Sequence, residues 1–297
     1  MKHDVIMRSM NWAPANRWRR TPRERTDVTM MTQPGDHLCQ RVRKGLRAGE
    51  FQLAFQGVYH AGTGALSSAE ALIRWMHPKN GMLLPSAFIG TIADPVVASE
   101  MTHFVIDSTC SQLGSWQREG HSMFPIAVNV PPSLVAKASF AQRLEHCARS
   151  HGVVPGLLQV ELSEAEDATK ILASKGLMDE LREIGVRIAI DDFGTGYSSL
   201  AMLSALDVDV VKLAKELLVP VPDNPRACEV ASAILNLLEK LAMTVVVEGV
   251  ETAAQAQWLA RWPNVLAQGF YYARPMFGLS NIPECKRAPV KHLQLVG

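Results

Sequence analysis

The feature that most constrains this chain is an alternation. Eight short β-rich runs recur along it: FQLAFQGV, LSSAEALIRW, FPIAVNV, LLQVELSE, VRIAIDDF, VDVVKL, TVVVEGV and VLAQGFYY. Amphipathic stretches lie between most of them. Three, at 104–120, 138–152 and 227–242, carry apolar residues at i, i+3/i+4 spacing and read as helices. Repeated βα units imply parallel strands joined by right-handed crossovers. Eight such units in about 250 residues fit a (β/α)8 barrel of the TIM type. The alternative is a doubly wound open sheet. Against it, no strand is followed by a glycine-rich dinucleotide fingerprint. The stretch GTGALS (62–67) has two glycines and lacks the third, so it reads as a hairpin turn.

The ends of the chain differ from this pattern. Residues 1–35 include NWAPANRWRRTPRER, which is basic, rich in Pro and Arg, and without period. They are expected to form a disordered leader, or to precede a working start at Met30 or Met31. The barrel is expected over 36–284, and 285–297 is a short basic tail with no assigned role. A net charge of +1 gives no overall pull toward DNA or an anionic membrane. No apolar run is long enough to span a bilayer, and the first residues lack the apolar stretch expected of a signal peptide. Five cysteines, an odd number with no CxxC spacing, argue for reduced thiols in a cytoplasm and against a disulfide framework or a zinc site.

Strands buried on both faces should be apolar throughout. These are not, and the exceptions fall toward their C-terminal ends: Glu70, Asn129, Glu161, Asp191 with Asp192, Lys212, Glu248 and Gln268. In a barrel those ends share one rim, where active sites are built. Each residue taken alone has an ordinary reading as a rim side chain with a local partner. As a set, five carboxylates around one lysine could not all stay ionised without cations. Carboxylate and amide oxygens suit Mg²⁺, Mn²⁺ or Ca²⁺ rather than zinc. Two adjacent aspartates let one carboxylate bridge two metals, the usual apparatus for in-line displacement at phosphorus. Lys212 reads either as a structural counter-ion or as a group that orients the attacking water. Gly194 and Gly196, in FGTGYSS, suit a mobile loop or a tight turn that needs positive φ.

These residues carry a resemblance. EALIRW (70–75), VNV around Asn129, ELSE (161–164), DDFGTGYSSL (191–200), VVKL with Lys212, EGVET (248–252) and QGF (268–270) resemble, in order and spacing, the EAL-domain family of bacterial phosphodiesterases. That family linearises cyclic di-GMP to pGpG. The resemblance implies a barrel whose first strand may run antiparallel to the others. It implies one metal held by Glu70, Asn129, Glu161 and Asp191, and a second held by Asp191, Asp192 and Glu248. Lys212 would sit by the nucleophilic water, and Asp191, Lys212 and Glu248 would carry the chemistry. Arg74, Leu72 and Gln268 would hold the dinucleotide. Glu164 and Glu251 would support the site, with Glu164 steadying the loop after Asp192. Mg²⁺ or Mn²⁺ would be the cofactors, Ca²⁺ would inhibit, and a homodimer is implied.

The chain also departs from the family pattern. Lys-Ile-Asp is here Lys212-Leu213-Ala214, Tyr-Gln-Pro is Phe55-Gln56-Gly57, and the glutamate of Phe-Ile-Pro-Leu-Ala-Glu is Ala93. Ala214 and Ala93 support an alternative, a weakly active or inactive relative acting as a cyclic di-GMP sensor or protein-interaction module. An enolase-like barrel is a third reading, but it lacks the Gly-Ser loop and the paired aspartates. No GGDEF, PAS or receiver pattern is visible, so the resemblance is to a stand-alone EAL protein.

Overall fold

The computed structural model describes residues 36–163, 172, 174–195, 203 and 208–283. The leader, the tail and most of the loop after the aspartate pair lie outside the described residues. Helix α1 (Asp36–Arg47) leads into a long hairpin of β1 (Phe51–His60) and β2 (Leu66–His77), edged by β3 (Gly81–Leu83). There follow α2 (Pro95–Arg118), β4 (Ile126–Asn129), α3 (Pro132–Val135), α4 (Phe140–Ser150) and β5 (Leu158–Ser163). Then come α5 (Lys175–Glu183), β6 (Arg187–Phe193), β7 (Val210–Leu213), α6 (Pro225–Lys240) and β8 (Thr244–Val247). The series ends with α7 (Ala253–Leu259), β9 (Val265–Ala267) and β10 (Met276–Phe277).

Eight strands close on themselves in the order β1-β2-β4-β5-β6-β7-β8-β9, with β9 returning to β1. All eight β-rich runs become barrel strands. β1 is antiparallel to both neighbours, while β2 and the remaining six pair in parallel around the ring. The reason is local. The GTGALS segment makes a hairpin turn, so no crossover separates the first two strands. β3 and β10 are short additions at the edges of β2 and β1.

The helix starts are set by capping. α2 begins nine residues before the periodic stretch read from sequence. Asp94 Oδ1 accepts from the Val96 and Val97 N–H groups, and Pro95 opens the first turn. Val97, Ala98, Met101 and Thr102 then extend its buried stripe. α6 starts the same way, with Asn224 capping and Pro225 following.

Strand alternation divides the apolar residues into two sets. The larger packs between barrel and helices and includes Ala69, Ala71, Ile73 and Trp75 of β2 and Val211 and Leu213 of β7. The smaller, Val58, Ala189, Val210, Val246 and Leu266, fills the barrel interior. This inner plug is the floor on which the polar residues stand. None of the described helices is long and apolar enough to cross a membrane.

Candidate active site

Two residues along a strand return to the same face. From the plug, that step leads from Ala189 to Asp191, from Val210 to Lys212, from Val246 to Glu248 and from Leu266 to Gln268. Glu70, Asn129 and Glu161 join them from β2, β4 and β5. The eighth strand contributes too. Because β1 runs the other way, its residue at this level lies two before Val58, at Gln56, which is paired in register with Glu70. Gln56 was named only as part of a family motif and was not among the candidate site residues read from sequence. Its signal was a lone amide inside an apolar run. Gln159, on β5 two residues before Glu161, was missed for the same reason.

Lys212 is the hub. Its Nζ lies 2.8 Å from Glu248 Oε1, 2.9 Å from Glu161 Oε2, 3.1 Å from Asp191 Oδ1 and 3.3 Å from Glu70 Oε2. All five side chains are at most 1% exposed. Amides complete the ring. Asn129 Nδ2 donates to Glu70 Oε1, and Gln268 Nε2 donates to Glu70 Oε2 at 2.8 Å and to Gln56 Oε1 at 3.4 Å. Gln56 Nε2 donates to the Ala273 carbonyl, and Gln159 Nε2 to Glu161 Oε1.

A regular strand would send Asp191 and Asp192 to opposite faces. Here the register shifts between Ile190 and Phe193, and Asp192 takes φ +56°. The irregularity lets both carboxylates be buried at the mouth, and the Asp192 N–H donates to Asp191 Oδ1. A left-handed backbone at a non-glycine residue costs of order 1–3 kcal/mol, though Asp tolerates it better than most. Gly194 next in the turn takes φ +103°, the conformation expected of a tight turn after the strand. On the neighbouring rim, a Cβ at Gly269 would collide with the backbone of Val250, so the glycine lets the segment after Glu248 close against Gln268.

Burial and crowding decide the charge state. Burial raises Glu161 to about 8, against the pull of Lys212. Burial and then the Asp191 charge raise Asp192 to about 8, with Glu216 adding to the effect. Burial also pushes Asp191 and Glu248 upward. For Lys212, burial works against the ammonium, but the surrounding carboxylates outweigh it and hold the lysine charged. One ammonium therefore serves too many acids, and Glu161 and Asp192 retain protons at neutral pH.

A divalent cation would relieve this. Asp191, Asp192 and Glu248 each present one oxygen, and the three oxygens lie within 4.8 Å of one another. Asp191 Oδ2, Asp192 Oδ2 and Glu248 Oε2 are buried and have no hydrogen-bond partner among the described residues. Hard oxygen donors with unspent lone pairs fit Mg²⁺ or Mn²⁺. The other implied quartet is differently disposed. Glu70, Glu161 and Asp191 converge on the Lys212 ammonium, and Asn129 reaches them through Glu70.

Leu72 and Arg74 continue the inward face of β2 beyond Glu70 and are both buried. The Arg74 guanidinium donates to the Ile73 carbonyl and has no ion pair among the described residues. Burial lowers its pKa to about 10, so it stays cationic at neutral pH. Glu251 is exposed; its backbone N–H, not its carboxylate, makes the local contact, donating to Gln255 Oε1. Gln255 is the buried residue there, closing a capping box with Thr252 and reaching the Leu218 carbonyl. Glu164 and Gly196 lie outside the described residues. Ala214 is fully buried beneath the rim, its N–H bonded to the Phe193 carbonyl. Gly57 has a clear reason: a Cβ there would strike the Tyr59 ring, which stacks on Tyr272.

The fold and the site define a (β/α)8 barrel with an acidic, cation-ready mouth. The EAL domain profile matches residues 39–275, and the chain belongs to that family. It is 34% identical over 237 residues to the cyclic di-GMP phosphodiesterase NbdA of Pseudomonas aeruginosa, over 80% of this chain and 30% of NbdA. It is likewise 34% identical over 247 residues to the uncharacterized protein Rv1357c of Mycobacterium tuberculosis, over 81% of this chain and 80% of that protein. Among solved structures, the PaMucR phosphodiesterase in complex with c-di-GMP matches with a TM-score of 0.73 and 32% identity, covering 81% of this chain and 97% of that one. The chain thus spans under a third of the length of NbdA.

Proposed function

We propose that this barrel hydrolyses cyclic di-GMP to linear pGpG, using two divalent cations, Mg²⁺ or Mn²⁺, at the mouth. The observation that carries the reading is the ring of five buried carboxylates around one lysine, three of whose oxygens are unpartnered. The similarity to proteins named as c-di-GMP phosphodiesterases supports cyclic di-GMP as the substrate. Asp191, Asp192 and Glu248 would hold one ion, and Glu70, Asn129, Glu161 and Asp191 the other. Bound there, the ions lower the pKa of water and neutralise charge on phosphoryl oxygens.

The residues of the chain do the rest. With cations held there, the carboxylates would need fewer protons and less of the lysine's charge. Lys212, beside Glu248, Glu161, Asp191 and Glu70, would then be free to donate to the attacking oxygen or to the developing negative charge. Arg74, cationic and in no ion pair among the described residues, would pair with a phosphate of the dinucleotide. Gln268 and Leu72 line its seat.

Purified protein incubated with cyclic di-GMP and Mg²⁺ or Mn²⁺ should yield pGpG by chromatography. Ca²⁺ should permit binding without hydrolysis, because it takes more ligands at longer distances and acidifies its bound water less. Binding without turnover under Mg²⁺ would instead favour a sensor, the reading that Ala214 supports. The homodimer implied by the resemblance is tested by sedimentation.

A further inference from the structure

The helical layer, away from the barrel mouth, holds a second set of metal-ligating side chains. α2 carries Asp107 and Cys110 about one turn apart, and α4 with its C-terminal cap carries Cys147 and His151 one turn apart. His151 Nε2 lies 2.9 Å from Asp107 Oδ1, and Cys147 Sγ lies 3.9 Å from the same oxygen. One donor atom from each of Asp107, Cys147 and His151 falls within 4.8 Å of the other two. Neither Cys110 nor Cys147 forms a disulfide. The crossing that gathers them depends on Gly114. A Cβ there would meet the His151 carbonyl oxygen, so only glycine lets the end of α4 close against α2.

An Asp–His contact alone is an ordinary surface pair. What distinguishes this one is the sulfur approaching the same oxygen from the buried side. A tetrahedral zinc with sulfur at about 2.3 Å and nitrogen or oxygen at about 2.0–2.1 Å needs its ligand atoms roughly 3.3–3.6 Å apart. The observed 2.9 and 3.9 Å bracket that spacing, so small rotamer shifts suffice. His151 also sits at the C-terminal end of α4, where free carbonyls favour positive charge.

We propose that Asp107, Cys147 and His151 bind one zinc-class divalent cation that clips α2 to α4, with the fourth position open to water. A thiolate–imidazole–carboxylate set selects zinc over the magnesium or calcium that suits the all-oxygen mouth. The absence of a CxxC pair hid the site in the sequence, because the donors come from two helices with Asp107 and Cys147 40 positions apart.

The test uses reduced, metal-stripped full-length protein in excess Mg²⁺, which occupies the mouth and leaves thiolates alone. Added Co²⁺ should give a thiolate-to-cobalt charge-transfer band saturating at one equivalent and bleached by one equivalent of Zn²⁺. Cys147→Ser and His151→Ala should both lose it. His151 is partly exposed, so H151A should keep the wild-type melting temperature without zinc, and Zn²⁺ should raise the melting temperature of the wild type only. No thiolate band in the wild type, or a band or zinc-induced shift that survives H151A, would overturn the proposal.

Discussion

Replacing Lys212 with alanine removes the one cation buried among the five carboxylates of the barrel mouth. Its Nζ stands 2.8–3.3 Å from four of them, all at most 1% exposed, so solvent screens none of the contacts. Removing one partner of a buried pair costs about 3–5 kcal/mol. In a domain of this size that corresponds to a melting temperature lower by roughly 6–20 °C. Protonation of the stranded acids limits the loss at low pH, so the deficit should be larger at pH 8 than at pH 6. Saturating Mg²⁺ should recover much of it, since a cation then neutralises the same oxygens. Under the proposed function, cyclic di-GMP should still bind with near-normal affinity in calorimetry. Turnover should fall by about 10²–10³, the usual cost of one electrostatic donor at a developing charge. A cation-free K212A protein that melts with the wild type would show that protons, not the ammonium, hold the cluster together. Normal turnover would make the lysine a counter-ion only.

Asp191→Ala acts on both carboxylate groups at once; it should abolish turnover and weaken metal-dependent nucleotide binding, and retained turnover would refute the dinuclear site. Arg74→Ala should weaken cyclic di-GMP binding in calorimetry, and unchanged affinity would show that the guanidinium does not meet the dinucleotide. Without cations, stability should fall as pH rises from about 4 toward 8. Glu161 and Asp192 titrate near 8 in the folded chain, so the native state keeps protons that the unfolded chain has released. The slope approaches about 1.4 kcal/mol per pH unit for each group. Melts with a chelator across that range check it, and Mg²⁺ should flatten the trend.

The barrel and most of its mouth were legible because the polar residues interrupt strands that are otherwise apolar. Asp191, Lys212, Glu248 and Gln268 each stand two positions after an apolar residue of the plug, a pattern the chain displays openly. Gln56 escaped because β1 is reversed, which puts its polar residue before the apolar one. The bulge at Asp192 has no compositional mark beyond the adjacent aspartates, and it takes three-dimensional register to show why both can be buried at the mouth. Glu251 was expected to support the site. The structure gives the buried contacts there to Gln255, a capping residue whose value depends on where α7 begins. Asp107, Cys147 and His151 are unremarkable in sequence because tertiary packing alone brings them together.

The apolar plug of Val58, Ala189, Val210, Val246 and Leu266 has a consequence for traffic. It fills the barrel interior beneath the acids, so ions and protons would approach them from the mouth. Low-dielectric walls also funnel the field of those acids outward through that opening. Cations are drawn in and anions are turned away until the acids have been neutralised. Under the proposed function, loading would then be sequential: an anionic ligand that depends on the metals would enter after them, and its phosphate would leave before they exchange.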